Sequence, residues 1–218
     1  MRNTLVFLIA LVATAGASST TAAVVDLDGA SVIVRTYDSA PLSPADRLAA
    51  LAAATAILSA AGLDVEWRAC EGSFVRSADD PCVAPLGISE LALRLVTLPP
   101  SPHRKGVVAL GDSHVDTQAR GGSLATIYVD RVTGVAQMCR VDVRMLLGRT
   151  IAHEIGHLLL GTRNHADTGL MRAVWSADVL QRSRAADWLF TPREGSLMRD
   201  AIRTRAAQQL AGPVVWGD

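Results

Sequence analysis

The chain has 218 residues, half of them apolar, with 21 basic residues set against 21 acidic ones. That length supports one domain with a real core, and the zero formal charge leaves no electrostatic footprint for a nucleic-acid partner. Aromatic residues are scarce and Lys105 is the only lysine, a compositional bias from which no function follows.

Arg2 precedes an apolar run, Leu5 to Ala13, that is too short to span a bilayer stably. Small residues follow, with candidate cleavage sites at Ala15-Gly16-Ala17 and Thr21-Ala22-Ala23. Residues 1–23 therefore read as a secretory signal peptide, so the expected location is secreted or periplasmic. An uncleaved anchor is the alternative for that stretch. Ser31 to Tyr37 alternates as a strand. Ser43 caps, and Pro44 opens, a helix to about Ala61 that Gly62 stops. Leu63 to Trp67 reads as a second strand, Cys70 to Gly87 as loop, and Glu90 to Leu98 as a third strand. Gly106 to Leu110 is expected to be strand four, Gly111 to Gly122 a polar loop, and Ala125 to Val129 strand five. Next comes an apolar run, Val141 to Leu160, that reads as one buried helix. Ser176 is a cap for a short helix to about Trp188. Thr191-Pro192-Arg193-Glu194 is a capping box for a last helix to about Leu210. Cys70 and Cys82 flank a polar, proline-containing loop and are expected to pair, an arrangement that export permits. Cys139 is left over.

The end of the buried helix reads His153-Glu154-Ile155-Gly156-His157. Residues four apart on a helix share a face, with β-carbons roughly 5–6 Å apart, so two imidazoles at that spacing can grip one metal ion. Zinc takes nitrogen ligands and in catalytic sites keeps one position open. Glu154, beside the pair, is placed to take a proton from metal-bound water. An apolar buried helix has no packing reason to carry these groups, because unpaired buried charge is costly. Gly161 follows where a left-handed residue would end the helix, then His165, then Gly169-Leu170-Met171.

At these residues the chain resembles the metzincin zinc peptidases, and among them the matrixin-like members. The family pattern is H-E-x-x-H-x-x-G-x-x-H followed by a methionine-containing turn; here the text is H-E-I-G-H-L-L-L-G-T-R-N-H-A-D-T-G-L-M. The histidine pair and the glutamate match, and Met171 corresponds to the turn methionine, fourteen residues after His157. Gly161 comes one residue late and His165 two, and Arg163 stands where the pattern wants histidine. His165 is the expected third ligand, reached by a longer turn. Asp167 is the fallback, since carboxylate also binds zinc, and Glu194 is a remoter choice.

The resemblance implies an α+β, zincin-like fold: a mixed twisted sheet of four to five strands with a helix packed on it, an active-site helix, and a small helical C-terminal part. Residues 24–218 would form one catalytic domain, 24–161 the N-terminal subdomain and 162–218 the C-terminal one. It implies a secreted zinc endopeptidase with Zn2+ on His153, His157 and His165, Glu154 as general base, and Met171 as the floor beneath the metal. The substrate is expected to be a peptide lying extended along the fourth strand, near Val107 to Leu110. Arg172, Val174 and Trp175 are candidates for a specificity pocket. The protein is expected to be a monomer, with no nucleic-acid partner and no stable membrane insertion after signal cleavage. His103, His114, Asp112 and Asp116 are read as loop residues, with a second structural metal as the alternative. From another class, the rival is an exported zinc-binding protein without catalysis. A metal-dependent ribonuclease with histidines alone is disfavoured by Glu154 and by the neutral charge.

Overall fold

A computed structural model describes residues 30–70, 80–98, 108–182 and 184–211. The signal-peptide stretch, His103 and residues 106–107 lie outside them. Five strands form one sheet in the order β2-β1-β3-β5-β4: β1 Ala30–Asp38, β2 Leu63–Ala69, β3 Glu90–Val96, β4 Gly111–Asp116 and β5 Gly121–Tyr128. β1 pairs in parallel with β2 and β3, and β3 with β5; only β4 runs antiparallel, on the outer side of β5. The helices are α1 Pro44–Ala60, α2 Val129–Cys139, α3 Val143–Leu160, α4 Ala177–Gln181 and α5 Pro192–Ala211, with a 3-10 turn at Ala185–Trp188.

Local chemistry explains most boundaries. The Ser43 hydroxyl accepts from Asp46 N–H at 3.1 Å and Pro44 is the first helical residue of α1. Asp142 caps α3, accepting from Arg144 N–H at 2.8 Å, so that helix starts two residues later than the apolar run. Thr191 N–H donates to Glu194 Oε2 at 2.7 Å and Glu194 N–H to the Thr191 hydroxyl at 3.3 Å. This is the reciprocal capping box at the head of α5.

The core lies between one sheet face and the helices. Val32, Val34, Leu91, Leu93, Ala125 and Ile127 share a cluster with Leu58 of α1 and Ile151, Ile155 and Leu158 of α3. Within residues 146–159 of α3 only Arg149 escapes full burial, and its guanidinium lies 3.8 Å from the Trp188 ring centroid. A Cβ on Gly148 would stand 2.6 Å from both Ala50 O and Ala53 Cβ, so a glycine there is what lets α3 press onto the backbone of α1. Buried Arg35 pairs with Glu90 and donates to the Ala84 carbonyl at 2.8 Å, tying down the segment before β3. A Cys70–Cys82 disulfide joins that segment to the end of β2. Cys139 is free and buried. Among the described residues, no helix is long and apolar enough to cross a membrane.

The sequence expectations need correction in four places. Strand four is Gly111–Asp116; of the expected Gly106 to Leu110, residues 108–110 are not strand and 106–107 lie outside the described residues. With Gly121 and Gly122 of β5, most of the expected polar loop is β structure. Strand five begins at Gly121 and ends at Tyr128, and Val129 instead opens a helix. That helix, α2, was not expected. Its Val, Thr and Gly content is poor for helix, but Val129, Val132, Ala136 and Cys139 are its buried residues, a helical spacing that packing rewards. Finally, the helix expected from Ser176 to Trp188 stops at Gln181, because Arg182 turns extended (φ −75°, ψ 119°).

Candidate metal centre

α3 carries His153 and His157 on one face, both buried. Their rings are fixed from behind. His153 Nδ1 lies 2.9 Å from the Leu170 carbonyl and His157 Nδ1 lies 2.8 Å from the Thr162 carbonyl. A carbonyl only accepts, so each Nδ1 carries the proton and each Nε2 presents a lone pair. Burial lowers His153 to about 4 and also depresses His157, which keeps both rings neutral at pH 7, the form that ligates metal.

The turn after α3 delivers the third ring. Gly161 is left-handed (φ +62°), and a Cβ there would lie 2.2 Å from the Arg120 backbone, so no other residue suits. Arg163 does not enter the ring cluster; its guanidinium donates to the Val115 carbonyl of β4 at 3.2 Å. His165 then turns back, and its Nε2 sits 3.3 Å from that of His157, while the Nε2 atoms of His157 and His153 are 3.1 Å apart. These three residues are the one such group among the described residues, with ligand atoms within 4.8 Å of one another. Two nitrogens each about 2.0–2.1 Å from a tetrahedral zinc would be roughly 3.3–3.4 Å apart. Two lone pairs and a third imidazole nitrogen converging at this spacing fit a cation, and their nitrogen chemistry fits zinc.

Asp167 is exposed, and its carboxylate is not part of that group. Glu194 is engaged in its capping box. Asp116 accepts from Gln118 and Ala119 N–H groups at 2.9 and 3.0 Å, capping a turn.

Past His165 the chain folds under the rings. Ala166 N–H donates to the Met171 carbonyl at 2.8 Å and Leu170 N–H to Leu189 at 3.0 Å. Met171 is buried, and its sulfur lies 2.7 Å from where a Cβ on Gly156 would be. Gly156, between the two helix histidines, thus lets the methionine seat against α3. Trp175 packs edge-on to His153 with centroids 5.4 Å apart, and edge-on to Trp188 at the same distance.

Glu154 is 7% exposed and burial pushes its carboxyl up to about 7; the Ser113 hydroxyl works against that rise, and the charge of Asp112 adds to it. A cleft of about 810 Å³ runs past Glu154 and the three histidines. It is lined by residues 111–115 of β4 and by Val135, Met138, Val174, Trp175 and Leu180. Arg172 also lines it and pairs with Asp187 at 3.3 Å.

β4 is the sheet's outer strand on the cleft side. Tyr128 N–H donates to the Leu110 carbonyl at 2.9 Å, and inward-facing residues alternate in an antiparallel pair. Asp112 and His114 therefore pair toward β5, and Gly111 and Ser113 turn their backbone groups to the free edge. Sequence reasoning missed Gly111 and Ser113, which fell in a presumed loop, and Val135 and Met138 of α2. The alternation of D-S-H-V-D and the helical spacing of the α2 valines were the available signals.

No family model and no curated protein matches this chain. Among solved structures it is similar to a zinc-dependent peptidase from Methanocorpusculum labreanum (strain Z), with TM-score 0.49 and 16% identity over 76% of this chain and 99% of that one. It is also similar to archaemetzincin from Methanopyrus kandleri, with TM-score 0.48 and 15% identity over 80% of this chain and 97% of that one.

Proposed function

We propose that this chain is a zinc-dependent peptidase, with His153, His157 and His165 as the ligands and Glu154 as the general base. The observation that carries the reading is the convergence of three imidazole Nε2 atoms beside a buried carboxyl. Zinc bound there supplies a Lewis acid that acidifies water and stabilises negative charge on a carbonyl oxygen.

The chain's own residues do the rest. Leu170 and Thr162 hold the His153 and His157 rings in one tautomer through their Nδ1 protons. Glu154 takes the proton of the attacking water and hands it to the leaving nitrogen. In the metal-free chain burial raises its carboxyl above the usual carboxylate range. The outward N–H and C=O groups of Gly111 and Ser113 receive an extended peptide as an added strand. The expected edge near Val107 to Leu110 is replaced by this one. Met171 forms the floor under the rings, a role supported by its seat against Gly156. Val174 and Trp175 contribute to the pocket that reads the substrate side chain. Export through residues 1–23 belongs to the same reading.

The test is zinc analysis of the full chain together with hydrolysis of a mixed peptide library, with and without chelator, for the native protein and Glu154→Gln. The expected result is one zinc per chain and cleavage that chelator abolishes and Glu154→Gln lowers about 10²–10⁴-fold. Stoichiometric zinc with no cleavage by the native protein would leave the non-catalytic zinc-binding reading in its place.

A further inference from the structure

We propose that Ser113, seated by the bare backbone of Gly111, is the residue that positions the Glu154 carboxylate. The inference rests on the peptidase reading above and deepens it. Ser113 Oγ lies 2.5 Å from Glu154 Oε2 and 2.9 Å from the Glu154 backbone carbonyl. Among the described residues it is the hydrogen-bond partner of a carboxylate that is otherwise enclosed. Leaving such a group unpaired would be costly.

A hydroxyl has one proton and two lone pairs, and here both possible acceptors are in reach. Its single proton goes to Oε2 or to the Glu154 carbonyl, so the one hydroxyl ties the carboxylate to the backbone of its own helix.

Gly111 completes the device by exclusion. A Cβ there would stand 2.7 Å from Glu154 Cγ, 2.8 Å from Oε1 and 2.9 Å from Cδ. Its φ is not among the positive values, so what the site needs is the missing side chain rather than an unusual backbone. Gly111 and Ser113 also turn their backbone groups to the free edge of β4. A peptide strand docking there therefore presses on the residues that hold the base.

The experiment compares Ser113→Ala, Ser113→Thr and Gly111→Ala in the full chain, alone and combined with Glu154→Gln. Readouts are kcat, KM, zinc content, thermal midpoint, and the crystal structure of the zinc-loaded Ser113→Ala protein. Removing a partner that orients a site group typically lowers activity about 10–100-fold. We expect that fall in kcat for Ser113→Ala, with KM and zinc content unchanged and most activity restored by Ser113→Thr. Gly111→Ala should fall at least as far while keeping its zinc. Ser113→Ala should cost nothing further in the Glu154→Gln background, as coupled residues are not additive. The crystal structure should show the Glu154 side chain displaced and the three imidazoles unmoved. Should Ser113→Ala be insoluble, Ser113→Cys carries the same expectation. Native kcat in Ser113→Ala overturns the proposal, as does a loss of zinc in step with activity. If the native chain cleaves nothing, the peptidase reading fails separately, and the position of Glu154 in the crystal still decides this one.

Discussion

The Nε2 atoms of His153 and His157 lie 3.1 Å apart although each ring has committed its only proton to a backbone carbonyl on the far side. Two lone pairs held face to face repel one another unless a cation lies between them. Zinc should therefore stabilise the fold as well as complete the site. A ligand at a thousand times its dissociation constant adds about 4 kcal/mol, so chelation should lower the thermal midpoint clearly and added zinc should restore it. Identical midpoints with and without zinc would sink the assignment.

The third ligand is a choice between His165, whose ring reaches the cluster, and Asp167, whose carboxylate does not. His165→Ala should lose zinc affinity by at least about 10–100-fold, and Asp167→Ala should bind as the native chain does. Metal analysis after dialysis against a competing chelator reads the difference. Retained zinc in His165→Ala with loss in Asp167→Ala would reverse the assignment.

Glu154→Gln keeps the shape and the contact with Ser113 but removes the base. General base catalysis contributes typically about 10²–10⁴-fold, so peptide hydrolysis should fall by that order with zinc content intact. Activity equal to the native protein's would show that the carboxylate takes no proton.

Gly156→Ala sets two effects against each other. Alanine in a helix interior gains roughly 0.5–1 kcal/mol over glycine. The new Cβ, however, would stand 2.6 Å from Phe190 Cε1 and 2.7 Å from Met171 Sδ, and overpacking of this kind costs typically about 1–3 kcal/mol. The clash should win. We expect a lower denaturant midpoint, and weaker zinc binding because the displaced turn carries the Leu170 carbonyl that orients His153. A midpoint at or above native would mean the methionine does not seat where the geometry puts it.

The metal-free protein should show opposed pH limbs. His153 is lowered from 6.5 to about 4, so between those values the unfolded chain binds more protons, and stability rises with pH. His157, also lowered, acts in the same sense. Glu154 is raised from 4.5 to about 7, so the folded chain binds more protons across that window, and stability falls as pH rises through it. Thermal scans in chelator from pH 4 to 8 should therefore show the rising limb steepened, and the loss near neutrality removed, in Glu154→Gln. Parallel curves for the two proteins would contradict the burial of this carboxyl.

Some of this molecule is written in short range and some is not. Ser43 and Pro44 open α1, Thr191 to Glu194 open α5, and Gly161 ends α3, because caps and left-handed turns depend on a few adjacent residues. The pairing of His153 with His157 is likewise dictated by helix geometry alone. β4 was hidden because an outer strand beside a cleft needs little apolar text; of its six residues only Val115 is buried. α2 was hidden because weak helix formers were overruled by the burial of one face. The arrival of His165 depends on Gly161 meeting Arg120 and on Arg163 reaching Val115, contacts between segments far apart in sequence. Ser113 and Glu154 are 41 residues apart. Local order follows from neighbouring residues, whereas the groups that surround a buried carboxyl are chosen by how a helix packs against the last strand of a sheet, and only the folded chain brings those two together.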